Sequence, residues 1–258
     1  MKIALVDSGI GLLAAAAALR TLRPDADLVI SSDPDGMPWG PRTPEGITER
    51  ALACALAAAE HRPDALIVAC NTASVHALER LRAELEPGIP VIGTVPAIKP
   101  AAADGGKVAI WATPATTGSP YQRGLIAEFG GAAEVTEVAC PGLADAVERA
   151  DQAAIDAAVA DAASRTPEGT TALVLGCTHY ELVDERIRTA LAGRAVDGLP
   201  FHGSADAVAA QALRRAGTAA ATPGTGSLTV LHTGRTSALA PEAAAYAEGR
   251  LIAAVLSH

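Results

Sequence analysis

The chain is poor in several residue types, and each shortage excludes a class of function. Lys and Arg together number 20 of 258 residues against 29 acids, a formal net charge of -9. That balance excludes a phosphate-tracking nucleic-acid binder, which needs a basic face. Cysteine occurs only four times, at Cys54, Cys70, Cys140 and Cys177, with no C-x-x-C among them. Scattered thiols of this kind suit buried or catalytic cysteines in a reducing cytoplasm better than a disulfide framework. No apolar run has the length and continuity of a membrane span. The opening MKIALVDSGIGLLAAAAALR has one Lys before an apolar run, as a secretion signal does, but Asp7 and two glycines interrupt it. It reads instead as a buried strand, a glycine turn and a helix. Aromatics make up only 3 % of the chain and alanine dominates, a bias of composition more than a structural demand.

What is present is half apolar, enough to bury one large core or two moderate ones. Short apolar runs alternate with longer Ala- and Leu-rich segments. Strands are expected at Lys2–Val6, Leu28–Ser31, Ala65–Ala69, Val91–Gly93, Lys107–Trp111, Glu134–Ala139, Ala172–Leu175 and Leu228–Leu231. Apolar residues three and four apart predict helices over Thr48–Glu60 and Ser74–Leu85, and a final amphipathic helix over Pro241–Leu256. Gly217–Gly226 reads as a loop. Near-continuous apolar strands alternating with helices point to α/β structure with parallel sheets covered on both faces.

A diverged internal repeat organises these elements. Lys2-Ile-Ala-Leu-Val is matched about 105 residues later by Lys107-Val-Ala-Ile-Trp, and Leu66-Ile-Val-Ala-Cys-Asn-Thr about 107 residues later by Leu173-Val-Leu-Gly-Cys-Thr-His. Each half thus has a strand ending in a polar turn, then a later strand ending in cysteine. The expected organisation is two pseudosymmetric parallel-sheet α/β domains with the active site in the cleft between them. The first domain is discontinuous (residues 1-94 plus 205-258) and the second spans residues 95-204. Ligands of open α/β sheets sit at the carboxyl ends of strands, where both Cys70 and Cys177 fall. Facing each other across such a cleft, the thiols flank one ligand from opposite sides.

Two thiols about one carbon permit one to remove an α-proton while the other delivers a proton to the opposite face, inverting the stereocentre. A free thiol has a pKa of about 8.5, and a helix N-terminus or a protonated His lowers it. Asn71, Thr72 and Thr178 are hydrogen-bonding residues in the same two turns, suited to a substrate carboxylate on which negative charge develops. Asp7-Ser8 ends the first strand and is expected to hold the substrate ammonium and to orient or deprotonate Cys70, while His179 serves Cys177.

Rival chemistries are less well supported. Pyridoxal phosphate needs a Schiff-base lysine, yet of three lysines Lys2 and Lys107 begin strands, leaving Lys99. Gly9-x-Gly11-x-x-Ala14, with Asp33 about 20 residues beyond, satisfies a dinucleotide fingerprint. An NAD-dependent oxidoreductase is therefore the alternative from another class, although Asp7 would set a negative charge beside the pyrophosphate. Cys177 and His179 stand too close for usual zinc-ligand spacing, and no second pair completes a set. Cys54 and Cys140 are expected to be packing thiols. His61, His76, His202, His232 and His258 have no evident partners. A non-catalytic scaffold binding an amino acid or a protein is the third reading.

These residues closely resemble the glutamate racemase family of the aspartate/glutamate racemase superfamily. The likeness rests on V-D-S-G-I-G at 6–11, A-C-N-T-A at 69–73, and P-V-I-G-T-V-P-A-I-K-P-A at 90–101. It continues through A-T-T-G-S-P-Y at 115–121, A-C-P at 139–141, Val147-Glu148 and L-G-C-T-H-Y at 175–180, covering nearly the whole chain. The resemblance implies a cofactor-independent two-thiol racemase, with Cys70 and Cys177 as the acid/base pair and Asp7 and His179 as helpers. It implies D-glutamate supply for peptidoglycan. Ser8, Asn71, Thr72, Thr116 and Thr178 are implied as substrate-binding residues, and Glu148 as an accessory carboxylate. The family's G-D-T-A-R-x-P-Y-G is S-S-D-P-D-G-M-P-W-G at 31–40 here. Pro38, Trp39 and Gly40 thus take the place that helps hold a substrate's side-chain carboxylate. Leu12 and Glu181 also depart, from a Gly and a Pro. These changes open the alternative of another acidic amino acid, such as aspartate. The implied ligand is a small acidic amino acid, with no metal, cofactor, nucleic acid or membrane; a homodimer is left open.

Overall fold

The computed structural model describes residues 1–217, 220–221 and 223–254. The chain forms two compact units, Met1–Thr94 with Ala205–His258, and Val95–Ser204. Among the described residues no helix is long and apolar enough to cross a membrane.

The first unit is built on six strands: β1 (Lys2–Asp7), β2 (Asp27–Ser32), β3 (Ala65–Val68), β4 (Val91–Gly93), and, from the C-terminal part of the chain, two more described below. The second unit carries β5 (Lys107–Ala112), β6 (Glu134–Ala139), β7 (Ala172–Leu175) and β8 (Phe201–His202). The first sheet is completed by β9 (Leu228–His232) and β10 (Arg235–Thr236), in the order β10-β9-β2-β1-β3-β4. The second has the order β6-β5-β7-β8.

Strand order β2-β1-β3-β4 is thus repeated as β6-β5-β7-β8, and the register repeats with it. Lys2 pairs with Asp27 as Lys107 pairs with Glu134, and Ile3 with Ala65 as Val108 with Ala172. Both central strands are apolar along their length and buried on both faces, the condition under which parallel strands persist. Among the described residues, the one departure from an all-parallel arrangement is the edge strand β10, which runs antiparallel to β9.

Helix Pro44–Ala59 begins with Thr43, whose Oγ1 accepts the Gly46 N–H at 3.2 Å, and Pro44 follows where its missing donor costs nothing. Ile47, Ala51, Cys54, Ala55 and Ala58 then recur on one face and pack into the core with Val6, Leu66 and Val68. In the second unit, Asp151 caps helix Gln152–Arg165 by accepting the Ala154 N–H at 3.1 Å. There the fully buried Trp111 indole donates to Thr166 Oγ1 at 2.8 Å, which lets a large ring with a polar atom sit inside the core.

Two helices differ from expectation. The segment expected as one helix over Ser74–Leu85 forms Asn71–His76 and Leu78–Leu85, divided at Ala77. At the division the Thr48 hydroxyl lies 3.0 Å from the His76 carbonyl and 2.8 Å from the Pro44 carbonyl, and Ala77 departs from helical backbone at φ -112. The expected helix over Pro241–Leu256 is a 3-10 turn, Pro241–Ala245, an extended Tyr246, and a helix, Ala247–Ala253. Residues 255–256 of that expectation and His258 lie outside the described residues, as do positions 218, 219 and 222 of the expected loop.

Candidate active site

In the first unit, β3 ends at Val68, and the Ala69 N–H bonds the Val6 carbonyl of β1 at 2.8 Å. Cys70 follows in an extended conformation, φ -142 and ψ 120, as the N-cap of helix Asn71–His76. Its carbonyl accepts the Ser74 N–H at 2.9 Å, so the thiol-bearing residue is also the first acceptor of the helix. Cys70 and Asn71 are buried and Thr72 is half-buried. The thiol-bearing residue thus stands at the N-terminus of a short helix.

Asp7 is the last residue of β1 and is 0 % exposed. Because Val6 is paired with Val68, Asp7 and the Ala69–Cys70 turn leave the sheet at the same end. Asp7 Oδ1 accepts the Ser8 backbone N–H at 2.7 Å and the Ser8 hydroxyl at 3.4 Å. This answers the dinucleotide alternative: the turn's own amide is directed at a buried carboxylate, where a pyrophosphate would need it. Asp33, the ribose candidate of that reading, is itself 1 % exposed and enclosed by protein donors.

Pro38 is exposed and Gly40 half-buried, with open space where a Gly40 Cβ would stand. Trp39, expected at a pocket, is 1 % exposed and lies in the core cluster with Ile47, Ala51 and Leu231. Its indole N–H donates to Asp33 Oδ2 at 2.9 Å, which directs the ring inward.

In the second unit, β7 ends at Leu175 and the Gly176 N–H bonds the Trp111 carbonyl at 2.8 Å, as Ala69 bonds Val6 in the first. A Cβ on Gly176 would stand 2.9 Å from that carbonyl and 3.2 Å from the Ala112 Cβ, which accounts for glycine before this cysteine. Cys177 is again extended, φ -142 and ψ 133, and precedes the 3-10 helix Thr178–Val183. Thr178 is buried beside it.

His179 Nδ1 lies 3.8 Å from Cys177 Sγ, and His179 Nε2 lies 2.7 Å from Glu148 Oε2. Glu148 is the last residue of helix Leu143–Glu148, reached through Gly142 in the left-handed region (φ 73). The order thiol, imidazole, carboxylate fixes the ring's orientation and gives a proton on the thiol a place to go. Thr116 is half-buried in the turn after β5, its hydroxyl 3.2 Å from that of Thr113.

The other two cysteines are chemically quiet. Burial pushes the Cys54 thiol up to about 12, aided by the negative charge of Asp33. Burial likewise pushes Cys140 up to about 12. Cys140 directly follows β6, and its carbonyl accepts the hydroxyl of the fully buried Tyr180 at 3.4 Å. Among the described residues, no three His, Cys, Asp or Glu side chains group as a metal site.

Two features had no clear signal in the sequence. Glu181 accepts both the backbone N–H and the hydroxyl of Ser204, each at 2.9 Å, tying the end of the Cys177 turn to a residue 23 positions on. Arg50 pairs with Asp33 at 2.9 Å beneath the 33–40 loop. An arginine on an amphipathic helix is ordinarily a solvated charge, so pattern alone does not mark it.

The chain is similar to known proteins over most of its length. The chain is 39 % identical over 199 residues to a glutamate racemase of Roseiflexus sp. (strain RS-1), covering 74 % of this chain and 71 % of the relative. It is 35 % identical over 222 residues to a glutamate racemase of Pseudomonas putida, covering 83 % and 81 %. Among solved structures, Escherichia coli glutamate racemase in complex with L-glutamate and an activator superposes with a TM-score of 0.77 at 26 % identity, over 99 % of this chain and 93 % of that one. The sequence model of the Asp/Glu/Hydantoin racemase family matches residues 12–212. The chain therefore belongs to the Asp/Glu/Hydantoin racemase family.

Proposed function

We propose that this protein interconverts L- and D-glutamate without a cofactor, with Cys70 and Cys177 acting on opposite faces of the α-carbon. The observation that carries the proposal is the duplicated turn. Each thiol follows a central parallel strand in the same extended conformation and precedes a helical turn. The glutamate racemases that resemble the chain over most of its length support the choice of reaction and substrate.

In the forward direction one thiolate takes the α-proton, and the opposite thiol gives its proton to the other face. The pair is left with its protonation states exchanged, and proton exchange with solvent through Asp7 and His179 restores it for another turnover in the same direction. Asp7 serves Cys70 as proton acceptor and also attracts the substrate ammonium. His179, oriented by Glu148, serves Cys177. Donors from Ser8, Asn71, Thr72, Thr116 and Thr178 meet the α-carboxylate as charge develops on it, and one such donor is typically worth about 3–4 kcal/mol. The Pro38-Trp39-Gly40 segment meets the side-chain carboxylate through its backbone.

Supply of D-glutamate for peptidoglycan is the role that suits this reaction. Four free thiols suit a reducing cytoplasm. A homodimer is compatible with the reading, because every residue it uses lies in one chain. The departures at 31–40 favour aspartate as the second substrate to try.

The test is α-proton exchange followed by NMR in D2O with L- and D-glutamate and L- and D-aspartate. Exchange with loss of optical activity is expected with glutamate. Racemisation of aspartate alone would replace the substrate, and no exchange with any of the four would overturn the reading.

A further inference from the structure

The carboxylate of Asp33 is 1 % exposed and draws donors from three separate parts of the first unit. The Trp39 indole donates to Oδ2 at 2.9 Å. From helix Pro44–Ala59, Arg50 Nη1 reaches Oδ2 at 2.9 Å and Oδ1 at 3.2 Å. From the turn between β9 and β10, the Thr233 hydroxyl donates to Oδ1 at 3.2 Å. The backbone of Asp33 is equally engaged. Its N–H bonds the Ser8 carbonyl at 3.1 Å, and its carbonyl accepts the Gly36 and Met37 N–H groups at 2.9 Å each. One residue therefore ties the Asp7-Ser8 turn to the loop that carries Pro38-Trp39-Gly40.

The loop is built to admit the guanidinium. A Cβ on Gly36 would fall 1.8 Å from Arg50 Nη1 and 2.0 Å from Asp33 Oδ2, so the absence of a side chain there is what lets the ion pair form. Thr233 holds a left-handed backbone (φ 47), which a β-branched residue adopts only at a cost. Its contacts supply the compensation: its N–H bonds the Ser32 carbonyl at 2.7 Å, and its hydroxyl meets both Asp33 and the Asp35 N–H. A half-buried ion pair, a missing side chain and a strained turn all converge on the geometry of one loop.

We propose that Asp33 and Arg50 are a positioning pair that sets the Pro38-Trp39-Gly40 backbone for the substrate's side-chain carboxylate. The proposal rests on the reading above, in which that backbone meets the carboxylate. The pair acts on substrate affinity at the side-chain end and leaves proton transfer at the α-carbon to the thiols. Arg50 makes both contacts through a single nitrogen, so a lysine ammonium is able to replace much of its effect, contrary to the usual rule for forked arginine pairs.

The experiment measures kcat and KM for L-glutamate, with α-proton exchange, in Arg50→Ala, Arg50→Lys and Gly36→Ala of the full chain. Arg50→Ala is expected to raise KM about ten-fold with kcat within about two-fold. Gly36→Ala, whose Cβ displaces the guanidinium, reproduces that split, and Arg50→Lys recovers most of the lost affinity. If Arg50→Ala does not fold, the other two variants are read on the same split. A fall in kcat at unchanged KM, or unchanged kinetics, overturns the positioning role. Failure of the underlying reading looks different: the unaltered protein then exchanges the α-proton of neither glutamate nor aspartate, and the proposal falls with it.

Discussion

The surroundings of Cys70 and Cys177 share a scaffold and differ in the ionisable residues set beside it. Both cysteines follow the third strand of a repeated β-sheet order, and both are extended with φ -142. By the strand registers, the position matching Asp7 in the second unit is Ala112, and the position matching His179 in the first is Thr72. Each half therefore lacks the other's ionisable neighbour. In the first the candidate partner is a carboxylate on the adjacent strand, fully buried. In the second it is an imidazole two residues along, 2.7 Å from a carboxylate on a helix. A duplicated backbone thus carries two different sets of ionisable neighbours, one in each unit.

The sharpest way to break this comparison is to remove one thiol at a time. Cys70→Ser and Cys177→Ser are each expected to lower racemisation by roughly 10²–10⁴-fold or more, since a hydroxyl is a far weaker acid. Each single variant retains exchange of the α-proton of one enantiomer only, and the two variants retain opposite enantiomers. A serine variant that racemises normally, followed by polarimetry, would remove the two-thiol assignment.

A smaller effect separates the helpers. Asp7→Asn and Glu148→Gln keep shape but lose negative charge, and each should slow turnover roughly ten-fold or more. Their effects on the pH profile and on the two starting enantiomers are expected to be opposite. Equal losses in both directions for both variants would mean that the halves are not functionally distinct.

The smallest effect concerns the thiols outside the proposed pair. With Cys54 and Cys140 buried and raised to about 12, both stay neutral and resist alkylation at pH 7–9, while Cys177, the partly exposed thiol, is expected to react first. The sign for stability follows from the same shift. Above about pH 9 the unfolded chain ionises these thiols first, so it binds fewer protons than the folded chain and stability falls as pH climbs from about 9 towards 12. Urea denaturation across that range should show the fall, and Cys54→Ala or Cys140→Ala should flatten it. Ready alkylation of all four cysteines in the folded protein would contradict this division.

Much of the fold was legible because the strands are apolar without interruption. All eight expected strands are present, and the repeat that organises them appears in matching strand order and register. The strands β8 and β10 escaped notice since two residues carry no periodicity. The single helix expected over Ser74–Leu85 is divided at Ala77, whose backbone departs from helical values where apolar spacing alone predicts continuity.

At the site, the residue types and the two turns were visible, whereas their partners were not. Trp39 was expected to face a pocket because its neighbours Pro38 and Gly40 occupy a binding segment. The indole is instead drawn inward by a buried carboxylate six residues away. Arg50 carried no signal, because what separates it from an ordinary surface arginine is the missing side chain at Gly36.

By itself the sequence determined the alternation of strand and helix, the duplicated half, and the presence of one cysteine turn in each. These follow from apolar periodicity and from residues adjacent in the chain, which local physics acts on directly. Only the tertiary structure decided which charges meet. Glu148 and His179 are 31 residues apart, and Asp33 and Thr233 are 200 apart. A hydrogen bond falls away within an ångström or so. Such pairings therefore depend on how sheets and helices pack, and not on any pattern along the chain.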